Sequence, residues 1–209
     1  MLHELKKIVS AASSWKEQHI RAVLATVVAL DGTSYRKPGV RMLISESGDF
    51  VGAVSGGCVE KEIVRRSRSV FQHGIPEVIT YDGRFRLGCE GILYILIEPF
   101  SITASFVSIF SEVITRRETL SICSNFEKQD AASNASFGSC MFFDGKAIPF
   151  RPDFSISDKL PIFDQALHPC FQLIIIGAEH DAVKLCDLAA RTGWEVHVVL
   201  LATRPKIGT

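Results

Sequence analysis

Residues Val54 to Ser67 read VSGGCVEKEIVRRS, so two glycines deliver Cys58 to what the pattern predicts is the first turn of a charged helix. A helix N-terminus offers unpaired backbone N–H groups and the positive end of the dipole. A cysteine there has its pKa lowered from ~8.5 toward ~3.5–7.5, which favours the thiolate at neutral pH. Cys58 is therefore suited to act as a nucleophile or to lie beside an anionic ligand. Gly56 and Gly57 allow a sharp turn that bares backbone amides to an incoming anion. Ser55 precedes them, and Glu60 and Lys61 follow in the first turn. A second glycine-bearing loop, LGCEG, carries Cys89, and Arg36, Arg41, Arg84 and Arg86 supply cations for an anionic ligand. The competing reading of each cysteine is an inert core residue, and of each arginine a solvated surface group. No histidine–cysteine cluster has the spacing of zinc ligands, so a structural metal is not expected.

The elements that must position these loops follow from periodicity. Leu2, Leu5, Ile8, Val9, Ala12 and Trp15 recur at helical spacing and predict an N-terminal amphipathic helix. AVLATVVAL (Ala22 to Leu30) predicts a buried strand, and DGTSYRKPG after it a structured loop. RMLIS and FVGAV flank ESGD as a hairpin, and the helix opened by the glycine–cysteine turn runs to about His73. PEVITYD and GILYILIEP add two strands around GRFRLGCEG. The first hundred residues thus predict a mixed sheet with two helices.

Beyond Ser101, SFVSIFSEVITRRE predicts a helix and Leu120 to Cys123 a strand, while EKQDAASNASFGS is polar and turn-rich. CMFFDGKAI predicts a hairpin arm, and FRPDFSISDKLPIFDQALHP is expected to be connection. FQLIIIGAEHDAVKLCDLAARTGWEVHVVLL reads strand, turn, helix, strand: one βαβ unit. The expected organisation is α/β, an N-terminal mixed α/β domain (1–100), a connecting helix and strands (101–168), and a partial Rossmann-like unit (169–209). One such unit cannot bury both faces of a parallel sheet. It calls for further chain, for the first domain, or for a second copy of the chain, the last of which would make a homodimer.

Composition narrows the function. The chain has 23 basic and 23 acidic residues, so nothing points to nucleic acid or a charged membrane surface. No stretch approaches the ~18 apolar residues of a membrane span. Glu4, Lys6 and Lys7 break any signal-peptide core. Six dispersed cysteines without a CxxC pair read as free thiols of a reducing cytoplasm.

DGTSYRKPGVRMLISESGDFVGAVSGGCVEKEI, followed by LGCEGILYILIEP, resembles the XdhC/CoxI family, maturation factors of molybdenum hydroxylases such as xanthine dehydrogenase. The resemblance rests on the Gly32 to Met42 loop, on Ser55 to Glu60, and on Cys89 to Gly91, and resumes more weakly at Leu173. It implies binding of the molybdenum cofactor, help with its sulfuration by a cysteine desulfurase, and delivery to an apo molybdenum hydroxylase. It places Cys58 and Cys89 near the molybdenum or sulfur end, and Ser55, Gly56, Gly57, Arg36, Arg41 and Glu60 around the bound group. Glu90 departs from the family's usual Cys-Gly-Gly and sets an acid where an anion would lie. In IIIGAEHDAV, Glu179 stands where a dinucleotide fingerprint needs its second glycine, so NAD(P) is not expected. It reads instead as a first-turn carboxylate suited to the helix dipole, and His180 and Asp181 as solvated first-turn residues. The remaining alternatives are an NAD(P)-linked oxidoreductase built on the C-terminal unit and a thiol enzyme moving sulfur through Cys58.

Overall fold

A computed structural model describes residues 2–55, 57, 59–85 and 90–200. Gly56, Cys58 and Cys89, three of the candidate site residues, lie outside the described residues, as does Arg86. The chain forms two compact units that part between His168 and Pro169.

The first unit opens with α1 (Leu2–Glu17), which buries Leu5, Ile8, Val9 and Ala12 at the spacing the sequence shows. It continues through β1 (Ala22–Asp31), β2 (Arg41–Ser45), β3 (Phe50–Gly52), α2 (Glu60–His73), β4 (Glu77–Asp82) and β5 (Ile92–Pro99). Then come α3 (Ala104–Arg116), β6 (Leu120–Asn125), β7 (Ala132–Ser133), β8 (Gly138–Phe143), β9 (Lys146–Pro149) and β10 (Ile162–Leu167). Six strands form one sheet in the order β3-β2-β1-β5-β4-β7, and four form a second in the order β10-β6-β8-β9. Every ladder of both sheets is antiparallel, so the expected mixed sheet is corrected. Neither β2–β3 nor β8–β9 needs more than a tight turn, and antiparallel pairing is what a tight turn permits.

Period-2 alternation assigns each strand's two faces. Val23, Ala25 and Val27 of β1, with Met42 and Ile44 of β2 and Ile95 of β5, pack with Val59, Ile63 and Val70 of the α2 segment. The intervening residues point the other way: Val28, Val78 and Leu96 pack with Phe126 and Phe137, and Phe163 of β10 closes over them. Phe106 of α3 meets Phe100 and Phe150 edge-to-face, at 6.1 and 5.6 Å between centroids.

Two expectations are corrected in the 120–167 region. Ile162–Leu167, expected to be connection, is an edge strand paired with β6 from Ile162↔Asn125 to Leu167↔Leu120. Its inward row holds Gln165 between Phe163 and Leu167, so a polar residue interrupts the apolar alternation a strand is recognised by. The polar segment before β8 contributes a two-residue strand, β7, against β4.

The second unit comprises β11 (Gln172–Ile176), α4 (His180–Arg191) and β12 (Glu195–Val199), with β11 and β12 parallel in register from Gln172↔Glu195 to Ile176↔Val199. This is the expected βαβ unit. Ala182 and Ala189 of α4 are buried, whereas Ile174, Ile176, Leu188 and Leu200 are exposed.

Candidate functional site

The glycine turn before α2 is built by Ser55 and Glu60. The Ser55 amide and hydroxyl donate to the two Glu60 carboxylate oxygens at 2.7 and 2.6 Å. The Ser55 oxygen in turn accepts the Gly57 amide at 3.1 Å and the Val59 amide at 3.2 Å. Glu60 is 4% exposed. Burial works to raise its carboxyl, but hydrogen bonds from the Ser55 hydroxyl and from the Glu60, Ser55 and Val54 amides together hold it below the ordinary value. Glu60 is therefore a resident carboxylate at the positive end of α2, and it fixes the turn. The Gly57 amide, expected to be bared to a ligand, is taken by Ser55. Gly57 itself has φ +114°, with open space where a Cβ would stand, so the chain turns there without meeting other elements.

Two further loops close on this turn. Gly32 has φ +79°, and a Cβ on it would fall 2.7 Å from the Glu90 carbonyl oxygen. A Cβ on Gly91 would fall 2.6 Å from the Thr33 carbonyl oxygen and 3.0 Å from that of Asp31. Only glycine at both positions lets the two backbones touch. Ser34, Tyr35 and Arg36 of the first loop, Val54, Ser55 and Val59 of the turn, and Tyr81, Gly83, Gly91 and Leu93 then line one recess of about 60 Å³. Tyr35 is 91% exposed and Arg36 half-buried at this recess. Cys58 precedes Val59 in sequence, and Cys89 lies two residues before Gly91; the structures of both fall outside the described residues. A larger cavity of about 500 Å³ opens at the other end of β1 and β5, near Arg21, Gly74 and Pro99, and holds none of the motif residues.

Arg41 is not brought to this recess. It alternates with Met42 and therefore points to the opposite face of the sheet. There its guanidinium donates to the Gly39 carbonyl at 2.9 Å and to Gln165 of β10 at 2.6 Å. Burial lowers its pKa to about 10, against the attraction of Glu98 and Glu4. Glu98 of β5 shares that face, with no exposed surface. It accepts the Ser139 amide at 2.9 Å and the Ser139 hydroxyl, while Ser139 and Ser124 hydroxyls pair at 2.7 Å. Burial pushes the Glu98 carboxyl up to about 7, although Ser139, Arg151 and Arg41 oppose it. This network joins the two sheets and is missed by sequence reading. A lone glutamate late in an apolar strand was its one signal.

Arg84 is engaged by its neighbour Asp82 at 2.6 Å. In the second unit Gly177 has φ +118°, and the Glu179 carboxylate accepts the Ala178 amide at 3.0 Å. A dinucleotide-binding turn offers its amides to pyrophosphate; here an acidic side chain occupies one. Glu179 is the N-cap of α4, and His180 and Asp181 are exposed in its first turn. Among the described residues no group of three or more His, Cys, Asp or Glu is arranged to hold a metal ion. None of the helices described is long and apolar enough to cross a membrane.

Residues 15–82, which include the Gly32–Met42 and Ser55–Glu60 loops, match the XdhC and CoxI family model. The chain is 29% identical over 211 residues to a probable xanthine dehydrogenase subunit of Bacillus subtilis, covering 87% of this chain and 60% of that protein. It is 24% identical over 182 residues to the molybdenum cofactor insertion chaperone PaoD of Escherichia coli, covering 85% of this chain and 52% of the chaperone. A crystal structure of a xanthine dehydrogenase from Bacillus halodurans superposes with TM-score 0.68 at 22% identity, over 91% of this chain and 61% of that one. The fold is thereby shared, and the chain spans about half to three fifths of the length of these relatives.

Proposed function

We propose that this chain binds the molybdenum cofactor as cargo and takes part in its insertion into a molybdenum hydroxylase. The observation that supports this reading best is the convergence of the three motif loops on one recess, held by the reciprocal glycines Gly32 and Gly91. The cargo combines a planar pterin, an anionic phosphate and a metal with oxo and sulfido groups. Arg36 supplies a cation for phosphate and Tyr35 a free aromatic face for a ring. Cys58 and Cys89, from two of the same loops, are the soft donors suited to the metal or sulfur end. Ser55 and Glu60 position the turn, and Arg41 serves the sheet-to-sheet interior instead.

A recess of about 60 Å³ is far below the ~300–1,000 Å³ of pockets that engulf a small ligand. It therefore grips one end of the cargo and leaves the other open to a recipient. Sulfuration with a cysteine desulfurase belongs to the same reading, with Cys58 as the sulfur-bearing thiol. The test is to produce the chain together with the enzymes of cofactor synthesis, purify it, and assay released pterin and molybdenum. Wild type is expected to retain both, Arg36→Ala less, and a Cys58→Ala, Cys89→Ala double variant least. Absence of pterin from wild type refutes the reading; full retention by the double variant refutes the role of the cysteines.

A further inference from the structure

Two of the described cysteines stand opposite one another in the second sheet. Cys123 of β6 and Cys140 of β8 are register partners, and Asp164 of β10 is the partner of Cys123 on its other side. Asp164, Cys123 and Cys140 thus form one row across three strands. The row faces away from the Glu98 network, because Ser124 and Ser139, the next residues along, point inward to it. Both sulfurs are free thiols. The Cys123 thiol donates to the Asp164 carboxylate at 3.2 Å.

Partners in an antiparallel ladder have Cα atoms about 4.5–5.5 Å apart, inside the roughly 4.4–6.8 Å that disulfides span. The two thiols differ in access. Cys123 is half-buried, whereas Cys140 is 2% exposed. The segment after β9 covers that region: the Ile156 amide bonds to the Cys140 sulfur, and the Phe154 ring lies where a Cβ on Gly138 would stand, 2.9 Å away.

The geometry points to a dithiol modification site in which Cys123 and Cys140 take up a low-molecular-weight disulfide and are bridged by it. Cys123, the accessible thiol, loses its proton and attacks the disulfide, giving a mixed disulfide on Cys123 and one released thiol. Cys140, shielded from the reagent but opposite Cys123, then attacks the Cys123 sulfur and expels the second thiol. The two cysteines lose two electrons and two protons, and the reagent gains both as two thiols. Asp164 controls the rate. Burial, then the hydrogen bond and charge of Asp164, then the charge of Cys140, push the Cys123 thiol up to about 12. Burial and then Glu98 push Cys140 up to about 11. Since the thiolate is the nucleophile, the reaction is slow at neutral pH and rises about tenfold per pH unit over the range of about pH 7–9.

The test uses oxidised glutathione on the folded full chain, quenched with acid and mapped by peptide mass spectrometry. A Cys123–Cys140 linked peptide is expected, lost on adding dithiothreitol. Cys140→Ser is expected to stop at glutathione on Cys123, and Cys123→Ser to leave Cys140 unmodified. Asp164→Asn is expected to raise the neutral-pH bridging rate several-fold, which a role in packing alone would not do. A persistent Cys123–glutathione adduct in the wild-type chain overturns the inference. So does linkage that appears only in denaturant, or modification of Cys140 in the Cys123→Ser variant. These outcomes leave the recess at Arg36 untouched, so this inference and the cofactor reading fail independently.

Discussion

Replacing Glu98 with glutamine tests the energetics of the interior between the two sheets. The carboxyl is fully buried, and a value near 7 against an ordinary 4.5 corresponds to about 3 kcal/mol of preference for the protonated form. Below about pH 4.5 folded and unfolded chains both hold this proton, and ionisation costs nothing. Between about pH 4.5 and 7 the unfolded chain releases it while the folded chain keeps it, so stability falls as pH rises. Above about pH 7 the whole ~3 kcal/mol is lost. Glutamine cannot ionise, and it retains an oxygen for the Ser139 amide and an NH₂ for the Ser139 hydroxyl oxygen. Glu98→Gln should therefore remove this slope: relative to wild type, its stability should improve by up to about 3 kcal/mol from about pH 4.5 to 8. Urea denaturation midpoints across that range measure it. The carboxylates held low by partners, such as Asp82 beside Arg84 and Glu46 beside Arg21, lose their contribution only at lower pH and leave the window clear. Parallel stability curves for the two proteins would refute the argument, because Glu98 would then not be buried beyond reach of water.

Gly91→Ala drives a Cβ into the Thr33 and Asp31 carbonyls and should cost about 1–3 kcal/mol, read as a lower urea midpoint, together with loss of pterin retention. Ser55→Ala removes the hydroxyl shared by Gly57, Val59 and Glu60 and should destabilise by about 1–2 kcal/mol. Its midpoint should also become less sensitive to acid, since Glu60 loses a partner that holds its carboxyl low, and with it part of the stability that protonation removes. Arg36→Ala should leave the urea midpoint within about 0.5 kcal/mol of wild type while lowering cofactor retention. Gly39→Ala places a Cβ onto the Gln165 amide, 2.0 Å from its nitrogen, and should destabilise the chain without altering the recess.

Much of the fold was legible in local pattern. The spacing of Leu5, Ile8, Val9 and Ala12, the β-branched runs of β1 and β5, and the strand–turn–helix–strand of the second unit each state their element within a dozen residues. β10 was hidden because Gln165 occupies an inward position, and its reason, the Arg41 guanidinium on another sheet, is 124 residues away in sequence. The motif loops were legible through glycines flanking chemistry-bearing residues. Their partners Tyr35 and Tyr81 were not, since a lone tyrosine in a loop has no period.

By itself, then, the sequence determined that this is an α/β chain with glycine-bounded turns, because helical and strand periods and the need for glycine in tight turns are properties of short segments. Tertiary structure alone decided which charged groups stand together. Glu60 turned inward to complete its own helix start, Arg41 went to the interior, and Arg36 stayed at the recess. Side-chain direction in a strand reverses at each residue, so whether an arginine meets ligand or core depends on which face of the sheet its neighbours bury.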